Sequence, residues 1–178
     1  MEIKYRITFL SDWHIGSGLA GGAEADAIVL KDKSNLPYIP GKTLKGLLKD
    51  AFYDINEAKN GKFDKDISEL FGVVERGELP TVHFSNAELD EITKTQIIKE
   101  KLSDYLYRNI ASTAINKNGV AESQSLRVME VTIPLSLVGR ITFQNEKFKE
   151  SIELALKWVR HVGVNRNRGL GRCKIETI

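Results

Sequence analysis

A chain of 178 residues has room for one domain with its own core and needs no staples to hold it. With 42% hydrophobic and 28% charged residues and four prolines it is too apolar for a disordered chain. Its 26 basic and 24 acidic residues leave a net charge of +2, too mild to point to any partner, so local clusters must carry that question. The lone cysteine, Cys173, excludes an internal disulfide and a zinc site built from several thiolates, and it suits a reducing cytoplasm. No apolar run approaches the roughly 20 residues that cross a bilayer, and the alternating start Met1-Glu-Ile-Lys-Tyr-Arg6 is no signal peptide. A soluble, unexported protein with no membrane partner is expected.

Ile3, Tyr5, Ile7 and Phe9 alternate with polar residues, which predicts a half-buried first strand. Residues 11–25 read as a loop carrying Gly16, Gly18, Gly21 and Gly22, and 27–31 as a short strand that turns back through Lys33 and Ser34. Leu44, Leu47, Leu48, Ala51, Phe52 and Ile55 then recur at steps of three and four, so a helix with one buried face begins at Pro40-Gly41. A polar connection over 56–66 leads to the apolar pair Leu70-Phe71 and a strand over 81–84. A helix is predicted through Ile92, Ile97, Ile98, Leu102 and Leu106, and the aperiodic polar stretch 115–125 reads as an exposed, poorly ordered finger or hairpin. The β-branched stretch 128–143 predicts two strand pieces broken near Pro134 and Gly139. Phe148, Ile152, Ala155, Val159 and Val162 stripe a second helix that Gly163 is placed to end, before a last strand over 172–177.

With the loops set aside the order is strand, helix, strand, strand, helix, strand. This is the α+β, ferredoxin-like pattern shared with RNA-recognition motifs. A single domain over 1–178 is expected, with a β-hairpin or loop insertion after strand one, at about 11–39, and a second at about 86–131.

Three segments carry chemistry. In Gly163-Val-Asn-Arg-Asn-Arg-Gly-Leu-Gly-Arg172 the glycines free the main chain to approach an anion and Arg166, Arg168 and Arg172 supply bidentate phosphate contacts, with Asn165 between them. A helix cap and solvated turn is the plainer reading. At Tyr38-Ile-Pro-Gly-Lys-Thr-Leu-Lys-Gly46, Lys42, Thr43 and Lys45 fall on the first helical turn, where free N–H groups and the positive dipole end favour an anion. Gly41-Lys-Thr resembles the end of a Walker A loop, but Leu36 stands where its upstream glycine belongs, so that reading fails.

His14, His83 and His161 lack metal-ligand spacing, which argues against a zinc hydrolase. His14 is either a general base or packed beside Trp13, and Asp12 either orients it or caps the turn. Asp26, just past the glycines, is a carboxylate able to serve as base or hold a magnesium ion in RNA cleavage, or is simply solvated.

These motifs together resemble the RAMP proteins of CRISPR systems, specifically the repeated backbone subunit of type III effector complexes. The likeness lies in His14-Ile-Gly-Ser-Gly18, in Ala25-Asp-Ala-Ile-Val-Leu-Lys-Asp32, in Leu36-Pro-Tyr-Ile-Pro-Gly-Lys-Thr-Leu-Lys-Gly46 and in Gly169-Leu-Gly171. It extends more loosely over Arg108 to Glu130, which is similar to the family's protruding thumb. The resemblance implies a ferredoxin-like palm, and subunits stacked along a guide RNA (crRNA) with a target RNA, with copies of the chain and with other effector subunits. It implies a metal-dependent endoribonuclease in which Asp26 is catalytic, with a divalent metal such as magnesium for cleavage only and no zinc. RNA contacts are expected at His14, Lys42, Thr43, Lys45, Arg108, Asn165, Arg166, Arg168, Gly169 and Gly171, and the finger 115–125 is expected to interrupt the guide–target duplex. Two alternatives are a noncatalytic RNA-binding subunit, and a guide-processing endonuclease with His14 as base.

Overall fold

The computed structural model describes residues 1–19, 22, 25–61, 63–72 and 79–178; part of the glycine-rich stretch, Gly21 included, lies outside them. Strand β1 (Glu2–Phe9) is followed by helices α1 (Gly41–Ala58) and α2 (Asp64–Phe71), strand β2 (His83–Phe84) and helix α3 (Glu91–Lys99). Then come β3 (Tyr107–Ser112), β4 (Arg127–Thr132), β5 (Ser136–Thr142), α4 (Lys149–Trp158) and β6 (Cys173–Thr177).

β1, β2, β5 and β6 form one antiparallel sheet in the order β2-β5-β1-β6. With α1 and α4 as crossovers this is the ferredoxin-like arrangement expected. The alternation in β1 turns Ile3, Tyr5, Ile7 and Phe9 into one core with Leu44, Leu48 and Phe52 of α1 and Ile152, Ala155 and Leu156 of α4. The first half of α1 packs beside the end of α4, where Leu44, Leu47 and Leu48 share a small cleft with Leu156 and Val159.

Several predicted features differ. Gly139 does not break a strand: it lies within β5 directly across from Tyr5, and a Cβ there would strike the tyrosine ring and hydroxyl, so glycine makes room for the aromatic. Helix α4 ends at Trp158 rather than at Gly163, because Val159 already takes extended backbone and the chain leaves for the sheet edge, where Cys173 N–H bonds the Arg160 carbonyl at 2.9 Å. Residues 27–31 make isolated bridges instead of a strand: Ala27 to Met129, Val29 to Gly16 and Lys31 to Pro37.

The helix predicted through Leu106 stops at Lys99, because Lys101 takes left-handed backbone and Ser103–Leu106 form a separate 3-10 turn. α3, capped by Asp90, whose carboxylate accepts the Thr93 N–H at 3.0 Å, buries none of its residues. Those Thr93 hydrogen bonds hold the Asp90 carboxyl below its ordinary range. β3 and β4 form a separate two-stranded hairpin. The finger 115–125 is its ordered, exposed tip: Ile115 bridges Ala121, and the Asn116 side chain accepts the N–H groups of Asn118 and Val120 at 2.9 and 3.1 Å.

Candidate nucleic-acid interface

The base of the β3–β4 hairpin gathers most of the residues singled out above. Asp26 is exposed, and it is held there twice: its N–H donates to the Val128 carbonyl at 2.8 Å and its Oδ2 accepts the Val128 N–H at 2.7 Å. One carboxylate oxygen is therefore committed to β4, and the other meets no hydrogen-bond donor among the described residues. Ala27 continues the pairing, bridging Met129 in parallel while its carbonyl accepts the Glu130 N–H at 3.0 Å.

Glu130 is the hub of this attachment. Its Oε2 accepts the Val29 N–H at 2.9 Å, its Oε1 pairs with Lys31 Nζ at 2.7 Å, and its carbonyl meets His14 Nδ1 at 2.7 Å. Lys31 in turn sits 3.9 Å over the ring of Tyr107, whose hydroxyl donates to the Asn35 carbonyl at 2.9 Å and is pushed up, chiefly by burial. Neither Glu130 nor Lys31 is a site residue on sequence grounds; the only trace is that each lies within a segment that resembles the family.

His14 is 3% exposed, so it is drawn into the core rather than offered to RNA. A carbonyl only accepts, so Nδ1 carries the proton and the ring is fixed as a brace between β4 and the segment after β1. Trp13 beside it is fully buried and stacked on Phe9 at 4.4 Å. Asp12 neither orients His14 nor caps the turn. Its Oδ2 receives both Nε, at 2.8 Å, and Nη2 of Arg108. The Arg108 side chain stays 62% exposed, and with Gly169 it lines a cleft of about 350 Å³.

The closing loop lies against the same strand. Val164 N–H donates to the His14 carbonyl at 3.2 Å, and Asn165 Nδ2 is 3.8 Å from Met129 Sδ. Arg166 and Arg168 project from a short 3-10 turn, exposed like Asn165 and Gly169, and neither arginine makes an ion pair among the described residues. Gly171 corrects the expectation of an RNA contact: it is buried, and its N–H is already spent on the Asp12 carbonyl at 2.7 Å.

Lys42, exposed, and Thr43 and Lys45, half-buried, occupy the first turn of α1, which has no acidic residue. That turn is tied to the opposite sheet edge: Gly41 N–H donates to Asn86 Oδ1 at 3.0 Å, and a Cβ on Gly41 would collide with the Phe84 carbonyl. The three share no hydrogen bond with the hairpin-base cluster. Thr43 N–H is taken by the Pro40 carbonyl at 2.9 Å, and Gly41's by Asn86, so the turn has fewer free donors than its sequence suggests.

Among the described residues no group of three or more histidine, cysteine, aspartate or glutamate side chains is placed to hold a metal, and no helix is long and apolar enough to cross a membrane. Cys173 is buried, and burial pushes its thiol up to about 12, so it stays protonated and inert.

A ferredoxin-like palm bearing a separate hairpin, with arginines and a carboxylate gathered at the hairpin's base, defines a one-palm protein of the RNA-recognition-like class. The RAMP superfamily model matches residues 6–174, and the chain belongs to that superfamily. No curated protein matches it in sequence. Its fold is similar to a chain in the cryo-EM structure of the type III-B Cmr-beta bound to cognate target RNA, with a TM-score of 0.77 at 12% identity over 99% of this chain and 97% of that one. A chain of the apo-state Cmr-beta structure matches with a TM-score of 0.75 at 13% identity, covering 100% and 97%.

Proposed function

We propose that this chain is a guide-RNA-binding backbone subunit of a type III CRISPR effector, working with other effector subunits, and that Asp26 cuts the target RNA. The observation that carries the reading is that Asp26, bonded to Val128, and Asn165 of the arginine loop, beside Met129, adjoin neighbouring residues of one strand. Phosphate-binding groups and a carboxylate oxygen thus share one support. The likeness of fold to a chain solved with cognate target RNA supports the same conclusion.

The exposed guanidinium groups of Arg166 and Arg168, with Arg108 at the adjoining cleft, hold the backbone through charge-assisted contacts that carry no sequence information. Lys42 and Lys45, on the first turn of α1, supply further positive charge outside that cluster. At the hairpin tip Ile115 and Val120 are 67% and 60% exposed, apolar side chains suited to wedging between bases. In the cleavage step the free oxygen of Asp26 takes the proton of the target's 2′-hydroxyl. The 2′-oxygen attacks the adjacent phosphorus in line, the P–O5′ bond breaks, and the 5′-oxygen leaves with a proton from water. Were a magnesium ion held there instead, Asp26 would be its one protein ligand among the described residues, and the ion would supply charge neutralisation at the scissile phosphate.

A noncatalytic role has one observation in its favour: the Asp26–Val128 hydrogen bond alone gives the carboxylate a structural use. Guide processing by His14 is disfavoured by that residue's burial and by its fixed Nδ1. Asp26→Asn discriminates, since the amide oxygen keeps the Val128 contact while the charge is lost. Target cleavage is expected to disappear with RNA affinity unchanged within about twofold, and chelation of divalent ions is expected to do the same; cleavage retained by Asp26→Asn refutes the assignment. Charge reversal at Lys42 and Lys45 should weaken all RNA sequences alike and reduce the salt slope by about 1 per lost contact.

A further inference from the structure

β6 is an edge strand: β1 covers one side, and the other is paired only at its start. There the chain segment after α4 lies antiparallel to it, with His161 opposite Arg172 and the Cys173 N–H on the Arg160 carbonyl at 2.9 Å. Alternation of the backbone then points the N–H and C=O groups of Ile175 and Thr177 the same way as those of Cys173, outward, where no group of the described residues meets them. Along this unpaired stretch runs a cavity of about 690 Å³.

The cavity's chemistry is two-sided. Leu10, 56% exposed, together with Val159 and Ile175 gives it an apolar floor, while Lys157, Arg160, Arg172 and Lys174 give it a basic rim. The one acidic residue lining it, Glu176, is already paired with Lys174 at 2.7 Å. Among the described residues no Phe, Tyr or Trp lines it, and its one ring is the imidazole of His161.

We propose that this groove is a docking site for an extended, acidic polypeptide segment of a partner protein, which adds as a strand to β6. The free donors and acceptors of Ile175 and Thr177 are spaced for a polypeptide backbone, the apolar floor takes alternate side chains, and the basic rim takes the carboxylates between them. The fold already seats an extended segment on this edge through the isolated bridge at His161, and the groove continues that line. A nucleic acid would use the basic rim but neither the strand-spaced backbone groups nor the apolar floor, and it finds only the single imidazole of His161 to stack on. The proposal does not depend on Asp26 or on the RNA reading.

The test uses a fluorescein-labelled peptide alternating Glu and Val, a peptide alternating Lys and Val, and a labelled short oligouridylate, each titrated against the whole chain by anisotropy. The Glu–Val peptide is expected to bind saturably, to slow amide exchange at Ile175 and Thr177, and to lose at least about tenfold in affinity when Lys157→Glu and Arg160→Glu are combined. Thr177→Pro, which removes one outward donor at an exposed edge position, is expected to weaken the peptide while leaving the melting temperature and oligouridylate binding unchanged. Absence of protection at Ile175 and Thr177, equal binding of the Lys–Val peptide, or displacement of the Glu–Val peptide by oligouridylate from this groove would overturn it.

Discussion

Gly171 shows how a residue with the composition of a ligand site serves packing instead. Its φ of +69° is left-handed, its N–H is held by the Asp12 carbonyl, and a Cβ would collide with the Val162 carbonyl. Gly169, two residues earlier, has a φ of +86° but open space around it. Gly169→Ala should therefore cost only the strain of that conformation, about 1 kcal/mol, whereas Gly171→Ala adds a backbone clash and should cost about 2 kcal/mol or more. For a chain of this size that difference separates a fall in Tm of about 3 °C from one of about 6 °C or more, which thermal melts followed by circular dichroism resolve. The same pair separates the loop's two jobs: Gly171 holds it down, while Gly169 with Arg166 and Arg168 faces solvent.

At the scale of elements, the hairpin rather than the sheet carries Asp26. The Asp26 and Ala27 main chain is bonded to Val128 and Glu130, and the Glu130 carboxylate clamps Val29 and Lys31. Glu130→Ala leaves the Val29 N–H and the half-buried Lys31 ammonium without that partner, a loss of about 1–3 kcal/mol. Faster amide exchange at Val29 and Ala27, with the β1–β5 pairing unaffected, is the expected signature. A target-cleavage rate that falls while RNA affinity holds would follow from the same loosening. An unchanged exchange rate at Val29 would show that the hairpin does not need this clamp.

For the whole molecule, alkaline conditions probe the core from inside. Burial raises Tyr5 at the centre of the sheet, it is the main cause raising Tyr107 under Lys31, and it pushes Cys173 up to about 12. In the unfolded chain such groups lose their protons near pH 8.5 for Cys and 10 for Tyr. Above those values the unfolded state binds fewer protons than the folded one, so stability falls as pH rises and continues to fall until the folded groups themselves titrate. The urea midpoint should therefore be lower at pH 10.5 than at pH 8. Cys173 should resist alkylation at pH 8 until urea unfolds the chain.

The sequence alone determined the elements whose period is set by a single interface. β1 alternates because one face meets the helices, and α1 repeats at three and four because one stripe meets the sheet; these local rules also sufficed for the ferredoxin-like order and the exposed finger. Tertiary structure alone decided the rest, because it depends on partners distant in the chain. Gly139 reads as a break until Tyr5 is seen across from it, and α4 stops short of Gly163 because the following residues are recruited to the β6 edge. His14 reads as either a base or a packed ring until its Nδ1 is seen on the Glu130 carbonyl, and Asp12 as its orienting group or a cap until Arg108 claims it, contacts that span 116 and 96 residues. Residue type and spacing named the groups able to bind an anion; which of them remain free to do so was settled by what the fold had already bonded.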